Sequence, residues 1–156
     1  MCLIPSPDSN DQVFEKMLTC RRRVTFNSTK PTSSMPPDYI DFLIKRFENP
    51  DEVRTFEKGR FELIKIGGMT IGRATYEPGW KWSQHVAPVA GTSLCQVEHV
   101  GMVISGQATC AMEDGRSYVM KPGDIFYIGP GHDSWVVGDQ PYVSLHFLGA
   151  ESYAHD

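Results

Sequence analysis

Residues 94–137 read LCQVEHVGMVISGQATCAMEDGRSYVMKPGDIFYIGPGHDSWVV, and this stretch decides the fold. Leu94 to Ser105 has strand composition, and Gln107 to Met112 follows across Gly106. Asp114-Gly115 is a strong hairpin signal. Arg116 to Met120 follows, and Lys121-Pro122-Gly123-Asp124 breaks it. Ile125 to Ile128 and Ser134 to Val137 flank a Gly-Pro-Gly-His corner at 129–132. Short strands punctuated by glycine and proline at this spacing predict an all-β sandwich or barrel.

Working outward, the same texture extends both ways. Upstream, Arg60 to Ile66 and Met69 to Tyr76 flank Gly67-Gly68, and Glu77-Pro78-Gly79 stops the second strand. Downstream, Tyr142 to Leu148 completes the set. The antiparallel barrel is expected from about residue 53 onward. A short helix is expected over 38–47: Asp38 can cap it, Ile40, Leu43, Ile44 and Phe47 recur at helical spacing, and Asn49-Pro50 ends it. Residues 1–36, rich in Ser, Thr, Pro and Asn, read as a partly disordered tail, and 37–156 as the folded domain. No internal repeat is present.

Composition narrows the function. At 156 residues and a net charge of -4 the chain fits one domain and has no basic face for nucleic acid. Its one basic cluster, Arg21-Arg22-Arg23, reads as solvated. No apolar run approaches a membrane span and no signal peptide is recognisable, so a cytoplasmic protein is expected. Cys2, Cys20, Cys95 and Cys110 form no C-x-x-C pair, which speaks against a zinc knuckle or a redox motif. Cys110 reads as a small buried residue.

Four histidines, His85, His99, His132 and His146, fall at or near strand ends, while His155 lies in the tail. Imidazoles converging from separate strands of a barrel make a transition-metal site. Here the sequence resembles the cupin superfamily. Gly79, five residues and His85 match the opening of the first cupin motif, and His99, six residues and Gly106 match its close, with histidine in place of the usual glutamate. Gly123-Asp124 through Gly129-Pro130-Gly131-His132 resembles the second motif. The chain departs from the pattern in three ways. The second histidine of the first motif would fall at Ala87, and the gap from His85 to His99 is long. The second motif's usual histidine position is Ser134, two residues beyond His132.

The resemblance implies a jelly-roll double-stranded β-helix with a three-histidine site of His85, His99 and His132. His146 is a fourth ligand or a hydrogen-bonding partner of one. Strand parity puts His99, Gly101, Val103 and Ser105 on one face, where the small side chains leave room for a ligand. The opposite register would turn Glu98 inward as a carboxylate ligand. Cys95 shares the parity of His99 and is either a thiolate ligand or a buried structural thiol. Trp80 and Trp82 line the mouth or form a structural pair. Tyr127 is either a phenol proton donor in the cavity or a packed core residue, and with Glu98 it is the candidate catalytic group.

A divalent transition metal is expected, Fe(II) or Zn(II) before Mn or Ni. The function expected is a metal-dependent enzyme on a small polar organic molecule, of oxygenase, isomerase or lyase type. The alternatives are a non-catalytic binding or sensing protein and a purely structural cupin. Val100, Met102 and Ile104 add more apolar surface than one small barrel buries, so a homodimer through sheet packing is expected.

Overall fold

Gly67 and Gly68 both adopt positive φ (57° and 77°), as a two-residue hairpin turn of the favoured hand requires. They join β2 (Gly59–Ile66) to β3 (Met69–Tyr76) in continuous antiparallel register, Ile66 opposite Met69 and Gly59 opposite Tyr76. The computed structural model describes residues 42–154. Ahead of β2 lies β1 (Glu52–Phe56), within the barrel expected from about residue 53 but not named there as a strand of its own. Its turn uses Lys58 at φ 57° rather than a glycine or asparagine, which is why the hairpin signal was absent.

After β3 come two four-residue helices, α1 (Trp82–His85) and α2 (Ala87–Ala90). Pro88 sits in the first turn of α2, and Gly91 ends it in the left-handed conformation. The remaining strands are β4 (His99–Ser105), β5 (Gln107–Met112), β6 (Ser117–Met120), β7 (Ile125–Ile128), β8 (His132–Val137) and β9 (Tyr142–Leu148). With β1–β3 they form a six-stranded sheet in the order β1-β2-β3-β9-β4-β7 and a three-stranded sheet β6-β5-β8, and neighbouring strands pair antiparallel. The result is an all-β architecture of two antiparallel sheets.

The expected helix over 38–47 is corrected for its described part. Residues 42–46 have no regular structure and 47–48 form a turn; 38–41 lie outside the described residues, as does the 1–36 tail. Phe42, Leu43 and Ile44 are largely exposed. An apolar stripe with no surface to bury against does not offset the cost of helix nucleation. The segment is instead fastened by Arg73, whose guanidinium lies 4.8 Å over the Phe47 ring and donates to the Phe47 carbonyl at 3.3 Å.

The core lies between the sheets. Phe61 and Leu63 of β2, Ala74 and Tyr76 of β3, Val103 of β4 and Phe126 of β7 are among its buried side chains. Each large apolar side chain contributes about 1.5–3 kcal/mol through burial. Tyr76 stacks on Trp80 with ring centroids 3.8 Å apart, closing one end of the interior. The C-terminal turn is drawn inward by Arg54, which donates to the Tyr153 carbonyl, so the Tyr153 ring packs 4.8 Å from Phe61.

Candidate metal centre

The parity predicted for β4 holds as far as Val103: His99, Gly101 and Val103 are buried and Glu98 is exposed, while Ser105 at the strand's end is exposed too. His99 is set by pairing with Ile128 of β7. His132 opens β8, where β5 holds one side through the Met112–His132 pair. Cys95 holds the other side as an isolated bridge, its N–H donating to the His132 carbonyl at 2.8 Å. That bridge draws the loop after α2 against β8 and aims the Cys95 thiol inward. On the next residue, the Asp133 carboxylate accepts from the Ser83 N–H (3.0 Å) and hydroxyl (2.9 Å). It caps α1 from outside and locks that helix to the strand bearing His132.

Cys95, His99 and His132 thereby place one donor atom each within 4.8 Å of one another, all three residues buried. Cys95 Sγ lies 3.5 Å from His99 Nε2. His132 Nδ1 donates to the Gly129 carbonyl at 2.7 Å, which leaves its Nε2 as the free lone pair. His146 stands beside this group: its ring centroid is 5.2 Å from that of His99, and its Nε2 lies 3.0 Å from the Ser144 hydroxyl.

Burial governs the protonation states. It pushes His99 down to about 2, with His146 and His132 adding to the effect, and His146 down to about 4. His132 is lowered by the same cause. All three are neutral lone-pair donors near neutral pH, the form a metal requires. Burial raises Cys95 to about 11, so without a metal it is a thiol; coordination deprotonates such a group outright. Two imidazoles and a sulfur fit a borderline or soft first-row ion and do not fit magnesium or calcium.

The sequence-predicted residues divide. His99 and His132 come together, with His146 adjacent and Cys95 drawn in. His85 does not join them. It closes α1 with its Nδ1 2.9 Å from the Lys81 N–H, and it lines a separate cleft of about 340 Å³ with Glu52 and Arg54. A four-residue helix carries it, and its ring folds back on Lys81 instead of joining the donor cluster. Tyr127 and Glu98 are also outside. Phe126 and Ile128 take the inward positions of β7, and Tyr127 is 67% exposed on the outer face, where it interacts with Glu98. The room expected beside His99 is filled: a Cβ at Gly101 would lie 2.5 Å from the Phe126 ring. His155 lies outside the described residues.

The remaining cavity is small, about 40 Å³, and Trp80, Trp82, Ser134, Tyr142, Ser144 and Tyr153 join the three histidines around it. Tyr153 escaped the sequence reading because it follows the last strand with no periodicity to flag it. A second cleft of about 410 Å³, between the edge strands β6 and β7, shares Met120, Phe126 and Ile128 with this cavity. Cys110, buried as expected, lines that cleft with Met112.

The fold and the buried donor cluster together define a two-sheet antiparallel β protein with a candidate metal centre. No family profile matches the chain, and no curated protein matches it. Among solved structures, it is similar to a structural-genomics protein of unknown function from Rhizobium leguminosarum, with 21% identity and a TM-score of 0.44, over 57% of this chain and 78% of that one. A sugar phosphate isomerase from a cupin superfamily of Silicibacter pomeroyi is similar at 19% identity, TM-score 0.43, over 58% of each chain. An oxalate decarboxylase of Bacillus subtilis is similar at 21% identity, TM-score 0.45, over 69% of this chain and 28% of that one. The chain spans less than two thirds of either enzyme, and likenesses this distant do not bear on its chemistry.

Proposed function

We propose that the chain is a metal-dependent cupin-type enzyme acting on a small organic molecule. A divalent transition metal would be held by Cys95 Sγ, His99 Nε2 and His132 Nε2. One observation carries the reading: three buried metal-competent donors, two from residues 95–99 and one from the start of β8, lie within 4.8 Å of one another. Three protein ligands leave a coordination position open, as catalytic sites do and closed structural sites do not. The thiolate favours Zn(II) over Fe(II) in this reading. When bound, such an ion polarises an oxygen ligand and lowers the pKa of water.

The chain's own residues supply the rest. His146, neutral and oriented by Ser144, is the base beside the donor cluster. Phe126, Trp80 and Tyr76 exclude bulk water. Met120, Phe126 and Ile128 form the wall through which the outer cleft communicates with the interior. No carboxylate lines the cavity among the described residues. That absence of an acidic base and the small cavity favour a second reading, a non-catalytic protein that binds a metal-held ligand.

The reading extends to assembly and location. Exposed Ile104, Ile125, Tyr127 and Phe147 support a homodimer through the outer face of the larger sheet. The free buried thiols of Cys95 and Cys110 suit a reducing, cytosolic compartment, and no described helix is long and apolar enough to cross a membrane. The test is metal analysis of protein purified without a histidine tag, alongside Cys95→Ser, His99→Ala and His132→Ala. One bound transition metal per chain, lost in each variant, is the expected result. Metal-free wild-type protein that also fails to take up Zn(II) on reconstitution would overturn the reading.

A further inference from the structure

Among the described residues, five buried polar side-chain atoms have no hydrogen-bond partner: Trp80 Nε1, Trp82 Nε1, His99 Nδ1, Tyr142 Oη and His146 Nδ1. All five belong to residues that border the cavity of the donor cluster. Native proteins rarely leave such groups unsatisfied, and an orphaned cluster around one cavity signals an absent partner. The two imidazole atoms are Nδ1 of His99 and His146, distinct from the Nε2 atoms that would hold the metal. The other three are hydrogen-bond donors that no metal satisfies.

Trp80 and Tyr142 are the informative pair. They are 2% and 3% exposed, and Trp80 borders neither of the two outer clefts. Trp82 also faces a groove beside Cys95 and Tyr153, so its indole is less diagnostic. Tyr153 is engaged with Tyr76, and Ser144, bonded to His146, also lies close enough to the Tyr142 hydroxyl to favour its ionised form, so Trp80 Nε1 is the more diagnostic donor of the two. The lining contains no Lys, Arg, Asp or Glu. A divalent ion held by one thiolate and two neutral imidazoles retains one positive charge, and buried charge demands compensation.

We propose that this cavity receives a compact monoanionic oxygen ligand, a carboxylate or similarly small oxyanion, with Trp80 Nε1–H and Tyr142 O–H donating to it opposite the metal. This names the ligand class for the metal site and rests on that reading. The 40 Å³ cavity limits the buried part to a few heavy atoms. A larger molecule would place only its anionic end here and its remainder in the apolar cleft beyond Met120 and Phe126.

The test uses cobalt-reconstituted full-length protein, whose d–d and thiolate-to-metal bands report occupancy of the site. Formate is titrated against its neutral counterpart formamide, in wild type, Trp80→Phe and Tyr142→Phe. Phenylalanine keeps an aromatic ring at both positions. Formate should shift the cobalt bands in wild type and bind about ten-fold or more weakly in each variant, with cobalt affinity unchanged. Formamide should bind more weakly than formate. Formate that leaves wild-type bands unmoved, or variants that bind it as wild type does, would overturn the proposal. If cobalt does not bind, the metal reading has failed, and calorimetry of formate on metal-free protein decides: heat that Trp80→Phe abolishes retains the donor pocket, and no heat removes it.

Discussion

His85 and His132 both follow a Pro-Gly turn, and both fit a spacing that predicts a metal ligand. They end in different places. His132 begins β8, where β5 on one edge and Cys95 on the other fix its register, so its side chain has one direction available. His85 ends a four-residue helix, and its Nδ1 folds back on Lys81. A strand converts spacing into direction because residues two apart share a face. A one-turn helix scrambles that relation. Motif spacing is therefore trustworthy where a strand ladder enforces it and uninformative where local backbone curls.

The largest expected effect tests this contrast directly. Cys95→Ser, His99→Ala and His132→Ala should each lower zinc affinity by more than the ~10–100-fold typical of groups that only orient a ligand. His85→Ala should leave it within about two-fold, below that range. Competition against a chromophoric chelator measures both. A His85→Ala loss as large as that of His99→Ala would mean the helix rearranges on metal binding, and the contrast would collapse.

A smaller effect concerns acid stability of the metal-free protein. Burial depresses His99 to about 2 and His146 to about 4, and it lowers His132. Below about 6.5 the unfolded chain takes up protons that the folded interior refuses. Stability is therefore complete above that pH and falls as pH drops toward the folded values. Each depressed histidine contributes a slope of up to about 1.4 kcal/mol per pH unit across its window. Urea unfolding at pH 7 and pH 5 should show the decline, and His146→Gln should flatten it. A pH-independent midpoint would show that these imidazoles are hydrated rather than buried.

The same distinction explains what the sequence made legible. The alternation of β4, the Gly67-Gly68 hairpin and the strands from Arg60 onward follow from period-two patterning and turn chemistry. His99 was legible because its strand is long enough to fix parity. Cys95 was readable only as an alternative, since its inward aim depends on a bridge to β8 between residues 37 positions apart. β1 was legible only as the start of the barrel near residue 53, without bounds of its own, because its turn at Lys58 carries no glycine signal, and the helices at 82–90 were hidden by their brevity. Tyr153 enters the interior through the Arg54 contact, a tertiary event that leaves no local trace.

The smallest effects belong to the outer face of the strands whose inner face carries the site. Val100 pairs with Tyr127, and Met102 pairs with Ile125, so one strip of β4 and β7 presents apolar side chains outward. Tyr127→Phe and Glu98→Gln remove the candidate acid–base groups without touching the interior. They should leave zinc affinity unchanged and shift stability by no more than about 0.5 kcal/mol, as surface changes do. Ile125→Lys acts on the same strip, with Ile125 76% exposed. It should leave the fold and metal content intact while converting a dimer to a monomer in light scattering at micromolar concentration. Loss of activity in Tyr127→Phe with metal retained would return that tyrosine to the chemistry and would require a ligand reaching the outer face. A wild-type protein already monomeric would leave the strip as ordinary exposed apolar surface, and the division between a chemical inner face and an associating outer face would lose its second half.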